Sequence, residues 1–193
     1  QAGTSVKQDF VELPSQIFEH WATEPEVLRR YARHYETGEV IPDALIEKIR
    51  ASSTFNQGFQ TAEYLAAAYL DMAWHAQAPD AAADVKALEA AEMDRIGLPV
   101  TIAPRYKSTY FQHIFAGDHY SAGYYAYIWA EVLDADGFEA FKEQGLFDPA
   151  TAQSFRQNIL ERGGSAEPMS LYRAFRGRDP AVDALLVNRG LAS

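Results

Sequence analysis

The chain contains no cysteine, which excludes disulfides, thiol nucleophiles and cysteine-bound metals. It has no apolar run near the roughly 18 residues of a membrane-spanning helix, so no membrane partner is expected. It is also poor in basic residues. Seventeen Lys and Arg stand against 27 Asp and Glu, for a formal net charge of −10. This argues against nucleic acid as a partner, because its phosphates need Lys and Arg. Strand signals are few, and there is neither an internal repeat nor a low-complexity tract. The fold expected is therefore all-α, mainly helical. Hydrophobic residues make up 48% of the 193 positions, enough to pack the core of one domain or one lobe of a larger one.

What the chain does hold is concentrated in two stretches. The first is DFVELPSQIFEHW, Asp9–Trp21. Asp9, Glu12, Glu19 and His20 stand there among Phe10, Val11, Leu13, Ile17, Phe18 and Trp21. A carboxylate among large apolar groups is costly to bury unless something pairs with it. Pro14 suits a first helical turn, so a helix is expected from about Pro14 to Ala22, with Glu12 just before it or in a kinked first turn. Ile17, Phe18 and Trp21 share a face by helical spacing. Glu12 projects from the start of this element. The residues alone leave two readings open: a helix-entry cap or salt bridge, or a ligand to a cation, since a carboxylate oxygen is a normal zinc ligand.

Further along, Thr23-Glu24-Pro25 opens a helix striped by Val27, Leu28, Tyr31 and Tyr35 and ended by Gly38. Another runs from Asp43 to about Ser52, with Leu45, Ile46 and Ile49 inward. Gln57–Ala78 is the longest helical signal and leaves little polar face, so much of it should be buried. Asp71 and His75 stand four apart within it and are read as a structural pair. An amphipathic helix is expected over Asp80–Ile96, broken by Gly97 and Pro99. Val100–Phe115 favours extended or irregular structure. Ser121 is read as the N-cap of a helix from Ala122 to about Leu133, which Phe138–Gln144 continues or restarts. Helices over Pro149–Arg162, Met169–Arg176 and Pro180–Asn188 complete the chain, with Gly190 past the last.

The second stretch gathers His113, Tyr120, Tyr124, Tyr125 and Tyr127 within fifteen residues. Tyr120, Tyr124 and Tyr127 fall at helical spacings and can share one face. Neutral tyrosine hydroxyls donate hydrogen bonds, which suits polarising a peptide carbonyl and holding the oxyanion that develops on it. Amphipathic packing, with rings in the core and hydroxyls at its edge, accounts for the same spacing.

DFVELPSQ with EHWA, and HIFAGDHYSAGYYAYIW, resemble the zinc metallopeptidases of the thimet oligopeptidase and peptidyl-dipeptidase family. Less specific stretches carry the resemblance over nearly the whole chain: FNQGFQTAEYL, PRYKSTYFQHIF, AEVLDADGF, LYRAFRG and NRGL. In that family the FVE glutamate is the third protein ligand of the catalytic zinc, beside two histidines of an upstream HExxH helix. The resemblance therefore implies Glu12 as a zinc ligand. Of the five histidines here (His20, His34, His75, His113 and His119) no two are four apart, and no HE dipeptide occurs. The chain is thus expected to be the C-terminal part of a longer enzyme's catalytic domain, in the zincin class, lacking the HExxH helix. Alone it is expected to be inactive and to bind zinc weakly or not at all.

The same resemblance implies that His113, Tyr120 and Tyr127 contact the substrate and the tetrahedral intermediate, and that Tyr124, Arg105 and Tyr106 help bind peptide. Members usually carry one residue fewer between that histidine and the first tyrosine, in a glycine-richer loop. Here Asp118-His119 fills the interval. The partners implied are short peptides, and the details lean towards bacterial peptidyl-dipeptidases, which remove C-terminal dipeptides. The compartment expected is the cytoplasm, with the periplasm as the alternative. The rival to an enzyme is a non-enzymatic helical peptide-binding module, or a decayed pseudoenzyme, with the same tyrosines and no metal.

Overall fold

The structure, a computed structural model, describes residues 3–78 and 84–192. Among them the chain forms α1 (Leu13–Thr23), α2 (Pro25–Tyr31), α3 (Asp43–Ser53), α4 (Gln57–His75), α5 (Val85–Arg95), α6 (Gln112–Phe115), α7 (Ala126–Gln144), α8 (Pro149–Phe155), α9 (Pro168–Arg176) and α10 (Asp183–Asn188). No strand occurs among the described residues. An isolated antiparallel bridge joins Arg33 and Val40. The fold is all-α, as the sequence predicts. The chain forms two compact units, one of Gln1–Phe55 with Ile128–Ser193, the other of Asn56–Tyr127.

The first unit has a core of Phe10, Leu13, Ile17, Leu133, Phe138, Phe141, Phe155, Ile159, Leu171 and Tyr172. Pro14 stands in the first turn of α1, and Leu13 and Ile17 are fully buried. Burying each such side chain contributes about 1.5–3 kcal/mol. Gly137 lets α7 pack closely: a Cβ there would lie 3.3 Å from Ile17 Cδ1 and 3.5 Å from the Phe175 ring. Trp21 meets Phe138 and Phe141 edge-on and donates from Nε1 to the Leu146 carbonyl, at 2.9 Å. Phe18 departs from the expected face. It is 54% exposed, because the buried stripe of α1 is narrower than the spacing allows.

The buried carboxylates of this unit, Asp134 and Asp136, find partners. His20 Nε2 lies 2.6 Å from Asp134 Oδ1, its ring stacked on Phe138. Burial pushes the Asp134 carboxyl up from its ordinary range, and the His20 hydrogen bond opposes that shift. Buried Asp136 accepts from the Tyr172 hydroxyl and from Arg178, each at 2.6 Å. Burial and that carboxylate push the Tyr172 hydroxyl far up, so it stays a donor.

Several expected helices differ in extent. α2 stops at Tyr31, not near Gly38, because His34 Nδ1 accepts the backbone N–H groups of Glu36 and Thr37 and folds the chain back. Tyr35 is consequently 88% exposed and off any stripe. α8 passes at Arg156 into a π-helical segment, Arg156–Leu160. The helix expected from Asp80 begins at Val85, where Asp84 caps it by accepting from Lys86 and Ala87 N–H. Residues 80–83 lie outside the described residues.

Gly164 supplies a prediction. A Cβ on it would stand 2.2 Å from the Ser5 carbonyl oxygen, an overlap only backbone movement relieves. Gly164→Ala should therefore destabilise the first unit by about 1–3 kcal/mol, the usual cost of overpacking. Gly58 on α4 has nothing within 4 Å, and Gly58→Ala should be neutral or slightly stabilising. Denaturant melts of both variants test the contrast. Equal stabilities would show that the Ser5–Gly164 approach is not constraining.

Candidate active site

The residues singled out in the sequence fall in both units. Glu12, in the first, is the residue before α1, with φ −87° and ψ −10°. Its side chain does not cap the helix. Ser15 Oγ donates to its Oε2 at 2.9 Å, which orients the carboxylate as outer partners orient metal ligands. This fits a group offering one oxygen to a metal. Among the described residues no set of three or more His, Asp or Glu is arranged to hold a metal ion. Among the described residues Glu12 could offer a metal one ligand, but a whole site is not present.

In the second unit the other six predicted residues converge. His113 sits on α6, exposed, with its ring centroid 5.2 Å from Tyr106, 5.9 Å from Tyr120, 5.6 Å from Tyr124 and 6.3 Å from Tyr127. Tyr120 and Tyr127 stack in parallel, 5.3 Å apart with 2° between planes. Arg105 is held beside α4, its backbone N–H donating to the Glu63 carbonyl at 3.2 Å and its guanidinium 5.6 Å over the Tyr64 ring. His119 makes no ring contact among the described residues.

Tyr124 is the hub of this cluster. It packs on Tyr64, Phe111, Tyr106, His113 and Tyr127 and is 3% exposed. Burial pushes its hydroxyl up to about 12, with Arg105 nearby acting in the opposite sense. The expectation that Tyr124 reaches the substrate therefore meets a side chain with little accessible surface.

The three tyrosines do not share a helical face, contrary to the spacing. α7 begins at Ala126, and Tyr120 and Tyr124 lie in the preceding turns. Ser121 is not an N-cap, since its hydroxyl donates to the Ile114 and Gly117 carbonyls, both at 3.1 Å. The cause is Asp71, completely buried on α4. Its Oδ1 accepts the Ala122 N–H at 2.9 Å and its Oδ2 the Tyr124 N–H at 2.8 Å. The turn thus bonds to a side chain and does not start a helix. His75 Nδ1 lies 2.7 Å from Asp71 Oδ1, so the expected pair forms. The Tyr64 hydroxyl adds a tether, donating to the Tyr124 carbonyl at 2.6 Å.

Sequence reasoning passed over Tyr64 and read Asp71 only as a partner of His75. The available signal was an acidic group in an apolar helix, which needs more than one neutral partner to be buried. The irregular stretch before α6 is pinned by Ser108, whose N–H donates to Glu89 Oε1 at 2.6 Å and whose hydroxyl accepts from Trp74 Nε1 at 2.7 Å.

Dipeptidyl carboxypeptidase of Escherichia coli (strain K12) is 47% identical over 98% of this chain, oligopeptidase A of the same organism 44% over 97%, and organellar oligopeptidase A of Arabidopsis thaliana 39% over 97%. The chain spans only 28%, 28% and 24% of the lengths of those proteins. The sequence profile of Peptidase family M3 matches residues 1–191 of the 193, and the chain belongs to that family.

Proposed function

We propose that this chain is the C-terminal part of the catalytic domain of a longer zinc peptidase that releases dipeptides from the C-termini of short peptides. The observation that carries the reading is the convergence of His113, Tyr120 and Tyr127 from separate turns into one ring cluster. Packing alone does not require four tyrosine rings around an exposed histidine. Glu12 would give zinc one carboxylate oxygen, and the remaining ligands and the base would come from an HExxH helix that this sequence lacks. Bound zinc supplies Lewis acidity and lowers the pKa of a coordinated water. The residues of this chain do the rest. Tyr120 and Tyr127 donate hydroxyl hydrogen bonds to the oxygen on which charge develops. His113, exposed at the edge of the cluster, adds a further donor. Tyr106 and Arg105 meet the peptide, Arg105 as a candidate partner for a carboxylate.

The similarity to oligopeptidase A supports a second reading, cleavage inside the peptide. Peptides with free and with amidated C-termini separate the two, with products identified by mass spectrometry. The longer protein should shorten the free peptide two residues at a time, spare the amidated one, and stop on zinc removal. Cleavage indifferent to amidation would establish the second reading, and no cleavage of either peptide would end the peptidase proposal. The 193-residue chain alone should show no chelator-sensitive turnover, since it offers one zinc ligand and no HExxH base.

A further inference from the structure

We infer that Asp71, with His75 one turn along α4, is a positioning residue whose carboxylate holds the backbone of Ala122–Tyr124 so that Tyr120 and Tyr127 are presented together. The inference rests on the proposed catalytic use of those tyrosines. Three observations carry it. First, Asp71 is 0% exposed in a segment of buried Ala66, Ala67, Ala68 and Leu70. A buried carboxylate persists only when hydrogen bonds replace its water, and here both oxygens accept backbone N–H groups of this one turn. Second, Ala122 has φ +55°. A residue with a Cβ is disfavoured in the left-handed region and stays there only when its surroundings hold it. The hydrogen bonds from its own N–H, to Asp71 Oδ1 at 2.9 Å and to His75 Nδ1 at 3.3 Å, are that hold. Third, the reversal at Ala122 separates Tyr120 from Tyr124 and Tyr127, and beyond it the Tyr120 and Tyr127 rings lie parallel. Were α7 to extend back to Ala122, this turn would be lost.

Asp71→Asn is the discriminating change. It keeps the volume but has one acceptor oxygen where the carboxylate has two, so one of the two N–H groups loses its bond to residue 71. In the longer zinc-loaded protein the variant should lower kcat on a short peptide on the order of 10²-fold, as misplacement of a catalytic group does. KM and zinc content should change little. The decisive measurement is a double-mutant cycle. With Tyr127→Phe already present, Asp71→Asn should cost far less than it does alone, because the hydroxyl it positions is gone. A structural role would give multiplied effects in the double mutant, and that result overturns the inference, as would near-normal kcat in Asp71→Asn alone.

Should Asp71→Asn fail to fold, His75→Ala goes through the same cycle. His75 is the more exposed partner. A smaller loss, again suppressed by Tyr127→Phe, supports the assignment, and simple multiplication removes it. A Tyr127→Phe variant with undiminished kcat would bring down the catalytic reading itself, and this inference with it. A strong Tyr127 effect without coupling to Asp71 brings down only the latter.

Discussion

Glu12→Ala in the longer protein is expected to produce an enzyme that loses zinc on dialysis and has almost no activity. A catalytic zinc keeps three protein ligands and one open position, so removing a ligand leaves too few to compete with water. Loss of an outer partner costs roughly 10–100-fold in affinity or activity, and loss of a ligand should cost more. The fold should survive. Glu12 precedes α1, its side chain does not cap that helix, and Leu13 and Ile17 anchor the helix without it. Metal content by mass spectrometry after dialysis is the primary readout, with a melting curve as control. Full zinc occupancy in a folded variant would remove Glu12 from the metal site even if turnover fell. Glu12→Gln refines the result. It keeps the size and one oxygen, including an acceptor for the Ser15 hydroxyl, but removes the charge that favours the metal.

Tyr127→Phe should reduce kcat by about 10²–10³, or roughly 2.7–4 kcal/mol, the cost of losing one oxyanion donor. The ring is kept, so its parallel stack on Tyr120 and its contacts with His113 and Tyr124 should persist. If the lost bond belongs to the transition state, kcat and kcat/KM fall together while KM holds. If the hydroxyl serves only packing, stability shifts slightly and kcat stays near normal. Kinetics on a short peptide, with zinc content and melting temperature measured on the same sample, separate these outcomes. Tyr124→Phe provides the contrast. Its side chain is buried at the hub, so stability should move more than kcat.

The two groups of candidate residues differed in how far the sequence revealed them. α1 was readable because its signals are local: Pro14 in the first turn and apolar residues at helical spacing. Membership of the tyrosine cluster was readable from the resemblance, and the rings do meet. Their arrangement was not. Spacing put Tyr120, Tyr124 and Tyr127 on one helical face, whereas the turn before α7 brings them together and buries only Tyr124. The turn before α7 bonds at Ala122 to a carboxylate 51 residues away, beyond the reach of any periodicity.

By itself the sequence determined the all-α class, the elements whose caps and breakers lie within a few residues, the exclusion of disulfides, and the residues carrying candidate chemistry. Those properties follow from local backbone preferences and composition, which each segment brings with it. Tertiary structure decided the partners of the buried charges. Asp71 bonds to a turn 51 residues on, Tyr64 to a carbonyl 60 residues on, and His20 to a carboxylate 114 residues on. It also decided which apolar residues of a stripe are buried, so that Ile17 is inside and Phe18 outside. The reason is common to both. A buried polar group must take whatever partner packing brings within about 3 Å, and packing sums over the folded unit, so no window of sequence contains it.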